Sequence, residues 1–493
     1  MKRLGNFNRE EDRPSVSNRA MKTLEVSKWS IEHIGFAALE LCWSLAPLSS
    51  RYRSCCSIWP HTGTAAQNAS KAPRDDQDSS SRQRGKRAQV ATSQESRIHV
   101  DHDIQRRADP GWTSYAQPAR PRLTLGFSSL SERRLVLDWL SEGLRPGQPA
   151  RLIREYPLIF DRNASAFHFT VWDGHQPAAF CTLWAVQFRV GVQRLRVGMI
   201  SLVYTDPLQR GRGHARRILQ AAIARAEALE LGFVMLWCDL DGLYQPLGFR
   251  RAGQESLLIL EPTVIDSALA EFPRVESLDV SPPEVADWPA IERLRGFRAC
   301  QLELDPGDLA RARTTPDLHV RVARNSDGLR GFAMCGRGDD FASVIHEWGG
   351  DPSASLACCR ALMSEIEPDR EMMMMIPPNR EDAPWALRRN GARVVNQPLA
   401  WLRIASPGAL SSDLSSFLGE GSTLDLQIAG SDEERQVVVK TRHSERTLNE
   451  SDFLESIFGS STGQPTPSLG ELQAADDSHP LPLPFFVWGL ESI

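Results

Sequence analysis

From Pro121 onward the chain alternates short apolar runs with turn signals, and two successive blocks share this texture. Over Ser131–Leu144, apolar residues at 135, 136, 137, 139, 140 and 144 recur at helical spacing and predict an amphipathic helix. Three strand-like stretches follow. Phe167–Trp172 ends at Asp173-Gly174-His175, Ala178–Val190 returns at Gly191-Val192-Gln193, and Leu195–Thr205 completes an antiparallel meander. A glycine-containing turn after Pro207 leads into a helix over Arg216–Leu231, where Ile218, Leu219, Ala222, Ile223, Ala226 and Leu229 mark a buried stripe. Phe233–Cys238 is a continuous apolar run of strand length and predicts a fully buried strand; Ser256–Leu260 predicts the last strand of the block.

The second block, roughly Val275–Ala405, repeats this order. It predicts a helix near Pro289–Arg298, strands at His319–Val322 and Leu329–Met334, and a helix at Ser355–Ile366, then a buried strand Met372–Ile376, a helix near Pro384–Asn390 and a strand Leu399–Ile404. The methionine run Met372–Met375 reads as core strand, not as a metal or partner site. Residues 1–118 lack a sustained apolar period and are expected to be a disordered basic and polar extension. The domain expectations are therefore 1–118 disordered, 119–265 the first domain, 272–405 a related second domain, and 406–493 an acidic tail. Its apolar end, with Phe485, Phe486 and Trp488, should dock because exposure of such side chains is costly.

A length of 493 residues suits two or three domains, and 41% apolar with 24% charged residues excludes fibrous and wholly disordered classes. Charge is uneven: residues 1–120 carry 19 Lys/Arg against 13 Asp/Glu, and residues 406–493 carry 4 against 14. The middle is nearly neutral and offers no broad basic face, so nucleic acid is not expected as a partner. Nine cysteines, an odd count with no Cys-x-x-Cys pair, point to a reducing compartment and away from structural zinc. The most apolar N-terminal stretch, Trp29–Leu48, contains Glu32, His33 and Glu40 and has no small-residue cleavage site behind a basic start, so a cytoplasmic location without membrane contact is expected.

The stretch that carries chemistry is Val203–Ala215, VYTDPLQRGRGHA, which joins a strand end to a helix start through two glycines. Such a turn presents backbone N–H groups at the positive end of a helix dipole and lets a pyrophosphate approach closely. Arg210, Arg212, Arg216 and Arg217 add positive charge beside it. A Rossmann fold does not fit, since the preceding strands read as antiparallel and no ribose-binding acid stands at the required place. A P-loop does not fit either, because no Gly-Lys-Ser/Thr follows.

Arg210-Gly211-Arg212-Gly213-His214-Ala215 resembles the Arg/Gln-x-x-Gly-x-Gly/Ala signature of the GCN5-related N-acetyltransferases (GNAT family), placed as there between strand four and helix three. Leu243-Tyr244-Gln245-Pro246-Leu247-Gly248-Phe249 is similar to the family's aromatic turn after strand five. The resemblance covers about Pro121–Pro262 and implies an α/β (α+β mixed sheet) GNAT-type acyl-CoA N-acyltransferase fold, in two tandem copies. It further implies acetyl-CoA as co-substrate, its pyrophosphate held by backbone amides of Arg210, Gly211, Arg212, Gly213, His214 and Ala215. Val203, Tyr204 and Thr205 would pair with the pantetheine arm. Tyr244 would protonate the departing thiolate as general acid, and the acceptor amine would attack directly, without an enzyme nucleophile.

No general base stands out. Glu155, Asp206, Asp239 and Asp241 lie on segments that could line an acceptor cleft, and the terminal carboxylate of Ile493 could reach it if the apolar end docks there. The second block resembles a degenerate copy: Gly350-Asp351-Pro352 puts a carboxylate and a proline where phosphate-binding amides should be. It should not bind CoA and is expected to cover the first domain's sheet and close the acceptor cleft. The acceptor itself, a small amine or a protein amine, is not readable. Two rival classes remain, a non-catalytic acyl-CoA-binding regulatory module of the same fold and an interaction protein using its charged tails.

Overall fold

The computed structural model describes residues 121–160, 165–272, 278–366, 371–378, 383–418, 423–460 and 481–493. The extension 1–118, expected to be disordered, lies outside the described residues. The first block opens with β1 (Arg122–Leu125) and α1 (Leu130–Leu144), whose first turn is capped by Ser129 Oγ accepting from the Glu132 amide at 3.1 Å. Short helices α2 (Arg151–Glu155) and α3 (Pro157–Phe160) follow. The expected meander is present as β2 (Ala166–Asp173), β3 (Gln176–Val190) and β4 (Gln193–Thr205), all antiparallel. Then come α4 (His214–Ala228), β5 (Phe233–Leu236), a single helical turn α5 (Asp241–Tyr244) and β6 (Arg250–Leu260). The stripe Ile218, Leu219, Ala222, Ile223 and Ala226 seats α4 on one sheet face, in a cluster with Val171, Ala179, Leu183, Ile200, Val234 and Leu236.

After α6 (Pro262–Ala270), the second block runs β7 (Asp279–Ser281), α7 (Trp288–Arg295), β8 (Cys300–Leu302), α8 (Pro306–Ala312), β9 (His319–Asn325), β10 (Gly328–Cys335), β11 (Val344–Gly350), α9 (Pro352–Ile366), β12 (Met372–Ile376), α10 (Ala383–Arg389) and β13 (Arg393–Ile404). The order from β9 repeats that from β2, and the Met372–Ile376 run is a wholly buried strand.

The second block does not cover the first block's sheet; it continues it edge to edge. The order β1-β2-β3-β4-β5-β13-β6-β12-β11-β10-β9-β7 forms one thirteen-stranded sheet, with β8 paired to β3. The last strands of the two blocks are exchanged. β13 pairs with β5 over Trp401–Ile404, and β6 pairs with β12 over Ser256–Leu260. The two exchanged strands also pair with each other, from Arg393↔Ile259 to Leu402↔Arg250. Each block thus completes the other's hydrogen-bond ladder, which removes two open sheet edges.

Residues 406–493, expected as an acidic tail, include folded structure: α11 (Pro407–Ser415), a three-stranded antiparallel sheet of β14 (Leu424–Ala429), β15 (Gln436–Thr441) and β16 (Glu445–Asn449), and α12 (Glu450–Phe458). The apolar end is buried. Phe485 packs on Phe188, Phe233 and Phe458 at ring distances of 5.1, 5.5 and 5.4 Å. Trp488 donates its indole N–H to the Cys300 carbonyl at 3.1 Å. Phe485, Phe486, Trp488 and Leu490 are nearly inaccessible, and each such burial is worth roughly 1.5–3 kcal/mol.

Candidate functional site

β4 and β5 are neighbours for only a short distance. Their parallel pairing covers Val197↔Phe233, Gly198↔Val234 and Met199↔Met235, after which β4 continues to Thr205 alone on that side. Gly198 sits at the base of this divergence, where a β-carbon would come within 2.8 Å of Leu183 and 2.9 Å of Val234. On its other side β4 keeps its ladder with β3 to Ala179↔Thr205, but with a bulge between Phe180 and Thr182. Leu202 takes φ 52° there, an uncommon conformation for a branched residue. The β4–β5 ladder thus stops at Met199↔Met235, and past the bulge Val203–Thr205 have no strand partner on the β5 side among the described residues.

The expected helix after Pro207 begins two residues earlier than the periodicity gave, at His214. Asp206 accepts from the Leu208 amide at 2.9 Å and shapes a 3-10 turn over Pro207–Gln209. Gly211 and Gly213 then take φ 77° and 76°, with nothing within 4 Å of a β-carbon built on either. Gly213 is the N-cap and no side chain caps the helix; the first helical bond is Arg217 N–H to Gly213 carbonyl at 3.1 Å. The amides of His214, Ala215 and Arg216 are therefore available at the positive end of the helix dipole. Arg210 and Arg212 are exposed beside the turn. Arg210 Nε donates to the Thr205 carbonyl at 3.3 Å, and Arg212 stands 3.9 Å from Asp173. His214 is buried at the turn, its Nε2 without a partner among the described residues. Burial and then Arg212 lower its pKa, so the ring is neutral near pH 7.

The remaining site residues lie on two faces of the sheet. Val203 and Tyr244 lie in the same buried cluster beneath α4, with Leu236 and Cys238. Tyr244 is fully buried, its ring 5.9 Å from Phe249 and 6.3 Å from Trp401 of the exchanged strand β13. Tyr204 points to the opposite face, 5.0 Å from Trp139 of α1, and a β-carbon at Gly143 would overlap its ring. Trp139 in turn donates to Asp206 at 3.3 Å. The structure thus ties α1 to the end of β4, a link that no motif in the sequence signals.

Three of the four carboxylates considered as bases are committed elsewhere. Glu155 is gripped by Arg145 and Arg151, both at 2.7 Å, in a buried group where Arg145 also pairs with Asp340 at 3.0 Å and Tyr156 donates to Asp340. Asp206 shapes its turn, and Asp241 pairs with Arg251 at 2.6 Å. Asp239 has no hydrogen bond or ion pair among the described residues. Ile493 ends in a different cavity from the Tyr244 cluster, lined by Glu155, Tyr156, Arg337 and Ser492 among others.

In the second block the equivalent turn is missing. β11 ends at Gly350 and α9 starts at Pro352, so Asp351 alone connects them, its carboxylate 2.6 Å from Arg330. Pro352 has no N–H to offer at the helix start. Where β11 leaves β12, Trp348 donates its indole N–H to the Met375 carbonyl at 2.9 Å, and Glu347 accepts from the Leu490 amide at 3.1 Å. The chain's own groups bridge this divergence.

Residues 134–249 match the model of the acetyltransferase (GNAT) family. No match is found among curated protein sequences. The fold is similar to solved GCN5-related N-acetyltransferases from Kribbella flavida (16% identity, 66% of this chain and 84% of that one, TM-score 0.45) and Anabaena variabilis ATCC 29413 (14%, 66% and 85%, 0.45). It is also similar to Eis1 from Mycobacterium abscessus (12%, 76% and 99%, 0.45). The matched segment contains the uncapped glycine turn, the end of β4 and Tyr244, and residues 134–249 thus form a GNAT acetyltransferase domain within the chain.

Proposed function

We propose that the chain transfers an acetyl group from acetyl-CoA to an amine, with the donor held by the first block. The observation that carries this reading is the coincidence of two openings: an uncapped helix start with open space over Gly211 and Gly213, and the divergence of β4 from β5 immediately before it. A pyrophosphate suits the amides of Arg210–Ala215, with Arg210 and Arg212 supplying countercharge. The unpaired edge of β4 at Val203–Thr205 suits an extended amide-bearing arm, which would be held as a further strand. Acetyl-CoA supplies the electrophilic thioester carbonyl and the thiol that leaves. Tyr244 is the group assigned to give a proton to that sulfur, and direct attack by the amine needs no nucleophile from the protein. Asp351 and Pro352 make the second block unsuited to the same donor, and its role is to complete the sheet.

The full burial of Tyr244 favours one competing reading, a module that binds acyl-CoA without turnover. Turnover distinguishes the two. Among the described residues six cysteines are free and buried, in keeping with a reducing, cytoplasmic setting, and no described helix is long and apolar enough to cross a membrane.

The donor site is tested by thermal unfolding of the full chain with and without acetyl-CoA. At about a hundred times its Kd the ligand should stabilise the wild type by about 2.7 kcal/mol. Gly211→Glu with Gly213→Glu should abolish the shift, since both substitutions place a carboxylate at the phosphate and strain a positive φ. An unshifted wild type removes the donor from the proposal.

A further inference from the structure

The exchange of β13 into the first block creates a cleft that the donor residues do not use. β13 pairs with β5 only over Trp401–Ile404, while the strand itself starts at Arg393. Beyond Leu236 the chain at Trp237, Cys238 and Asp239 turns away from Gln397, Pro398 and Ala400, and the gap between them is a half-open cleft of about 120 Å³. One wall belongs to the first block and the other to the second. The cleft abuts the donor site: Trp401 lines it, donates its indole N–H to the Cys238 carbonyl at 2.8 Å, and on its other side neighbours the Tyr244 ring.

The polar groups around the cleft differ in what they are free to do. Gln397 donates to Glu255 at 2.6 Å. Arg251 lies over the Trp401 ring at 4.9 Å and pairs with Asp241. Asp239 is exposed at the mouth and, among the described residues, has no hydrogen bond or ion pair. An aromatic and apolar wall with one uncommitted carboxylate is complementary to an organic ammonium ion, whose charge pairs with the carboxylate while its carbon skeleton covers the indole. Burial raises the Asp239 pKa, with Arg251 opposing, so a bound cation would relieve a carboxylate that its surroundings leave undercompensated.

We propose that this cleft is the acceptor subsite and that it selects small primary amines, the ammonium held by Asp239 until it gives a proton to solvent water and attacks as the free amine, and the apolar part lying against Trp237 and Pro398. The assignment rests on the acetyltransferase reading. It gives the second block a part in substrate selection, because Pro398, Ala400 and Trp401 come from its exchanged strand.

The test uses the full chain saturated with CoA and titrated with phenethylamine, followed by ligand-observed NMR, with 2-phenylethanol as the neutral analogue. Phenethylamine should bind and the alcohol bind more weakly, and Asp239→Asn should weaken the amine roughly tenfold, the scale of one charge-assisted contact. In turnover the same variant should raise KM for the amine by a similar factor with little change in kcat. Trp237→Phe should weaken binding less than Asp239→Asn. Equal binding of phenethylamine to wild type and Asp239→Asn, or no binding to wild type, overturns the proposal; with the acetyl-CoA thermal shift intact, the acetyltransferase reading survives that result. Loss of the acetyl-CoA shift in the wild type, with amine binding retained, overturns the assignment of an acceptor site together with the donor reading. Selective acetylation of lysine peptides, with small amines refused, overturns the small-amine class.

Discussion

Replacing Glu347 by alanine is expected to destabilise the protein by about 3–5 kcal/mol, the cost of stranding a buried charge partner. Its carboxylate is completely inaccessible and lies 2.7 Å from Arg298 and 3.2 Å from Arg295, both themselves buried. Arg295 also pairs with Glu491 at 3.0 Å, and the Leu490 amide donates to Glu347. Arg298 stacks over Trp488 at 3.6 Å. The network therefore joins α7 and β11 to the C-terminal segment, and alanine would leave two guanidinium groups sharing Glu491. Denaturant unfolding of the full chain measures the loss, with limited proteolysis reporting release of the C-terminal residues. A change below about 1 kcal/mol, the scale of an exposed pair, would show that water reaches the cluster.

The same network sets a pH dependence. Although burial would raise it, Arg298 and Arg295 together hold Glu347 below the ordinary carboxylate range, so its contribution is present above the unfolded-state pKa and lost as pH falls through the lower folded value. Burial pushes Glu491 the other way, and its contribution is lost as pH rises toward that raised value. Stability should thus decline on both sides of the ordinary carboxylate range, and Glu491→Gln should flatten the decline that runs from that range up to about pH 7.

The second large effect is expected at Tyr244. Removing only its hydroxyl, Tyr244→Phe, should lower kcat by roughly 100- to 10,000-fold, the span of general acid–base contributions. The acetyl-CoA-dependent thermal shift should persist, since the ring's contacts with Phe249 and Trp401 do not involve the oxygen. An unchanged kcat would reduce Tyr244 to a packing residue and move proton donation to solvent.

What was legible in the sequence was local. The strand Met372–Ile376 and the meander β2–β4 were readable because each is a contiguous apolar pattern with clear punctuation, Pro377-Pro378 after the former and glycine turns within the latter. The glycine turn was readable for the same reason: every group it needs lies within Val203–Ala215. The strand exchange was not, because β5–β13 pairing joins residues far apart in the chain, and Asn396-Gln397-Pro398 interrupts the apolar pattern at the start of β13. The sheet β14–β16 was hidden by composition. Leu424 and Leu426 alternate with Asp425 and Gln427 as a half-buried strand should, but the surrounding acidic charge suggested a tail. The bulge at Leu202 and the uncommitted carboxylate of Asp239 follow from which strands neighbour which, and no periodicity encodes that.

The central claim, acetyl transfer to an amine, is tested most directly by thiol release from acetyl-CoA by the full chain against a panel of amines, with the product identified by mass. The account predicts release that requires an amine, matched one for one by N-acetylated product and lost in the Gly211→Glu, Gly213→Glu variant. A wild type that acetyl-CoA stabilises but that releases no thiol with any amine would contradict it and establish a binding module in place of an enzyme.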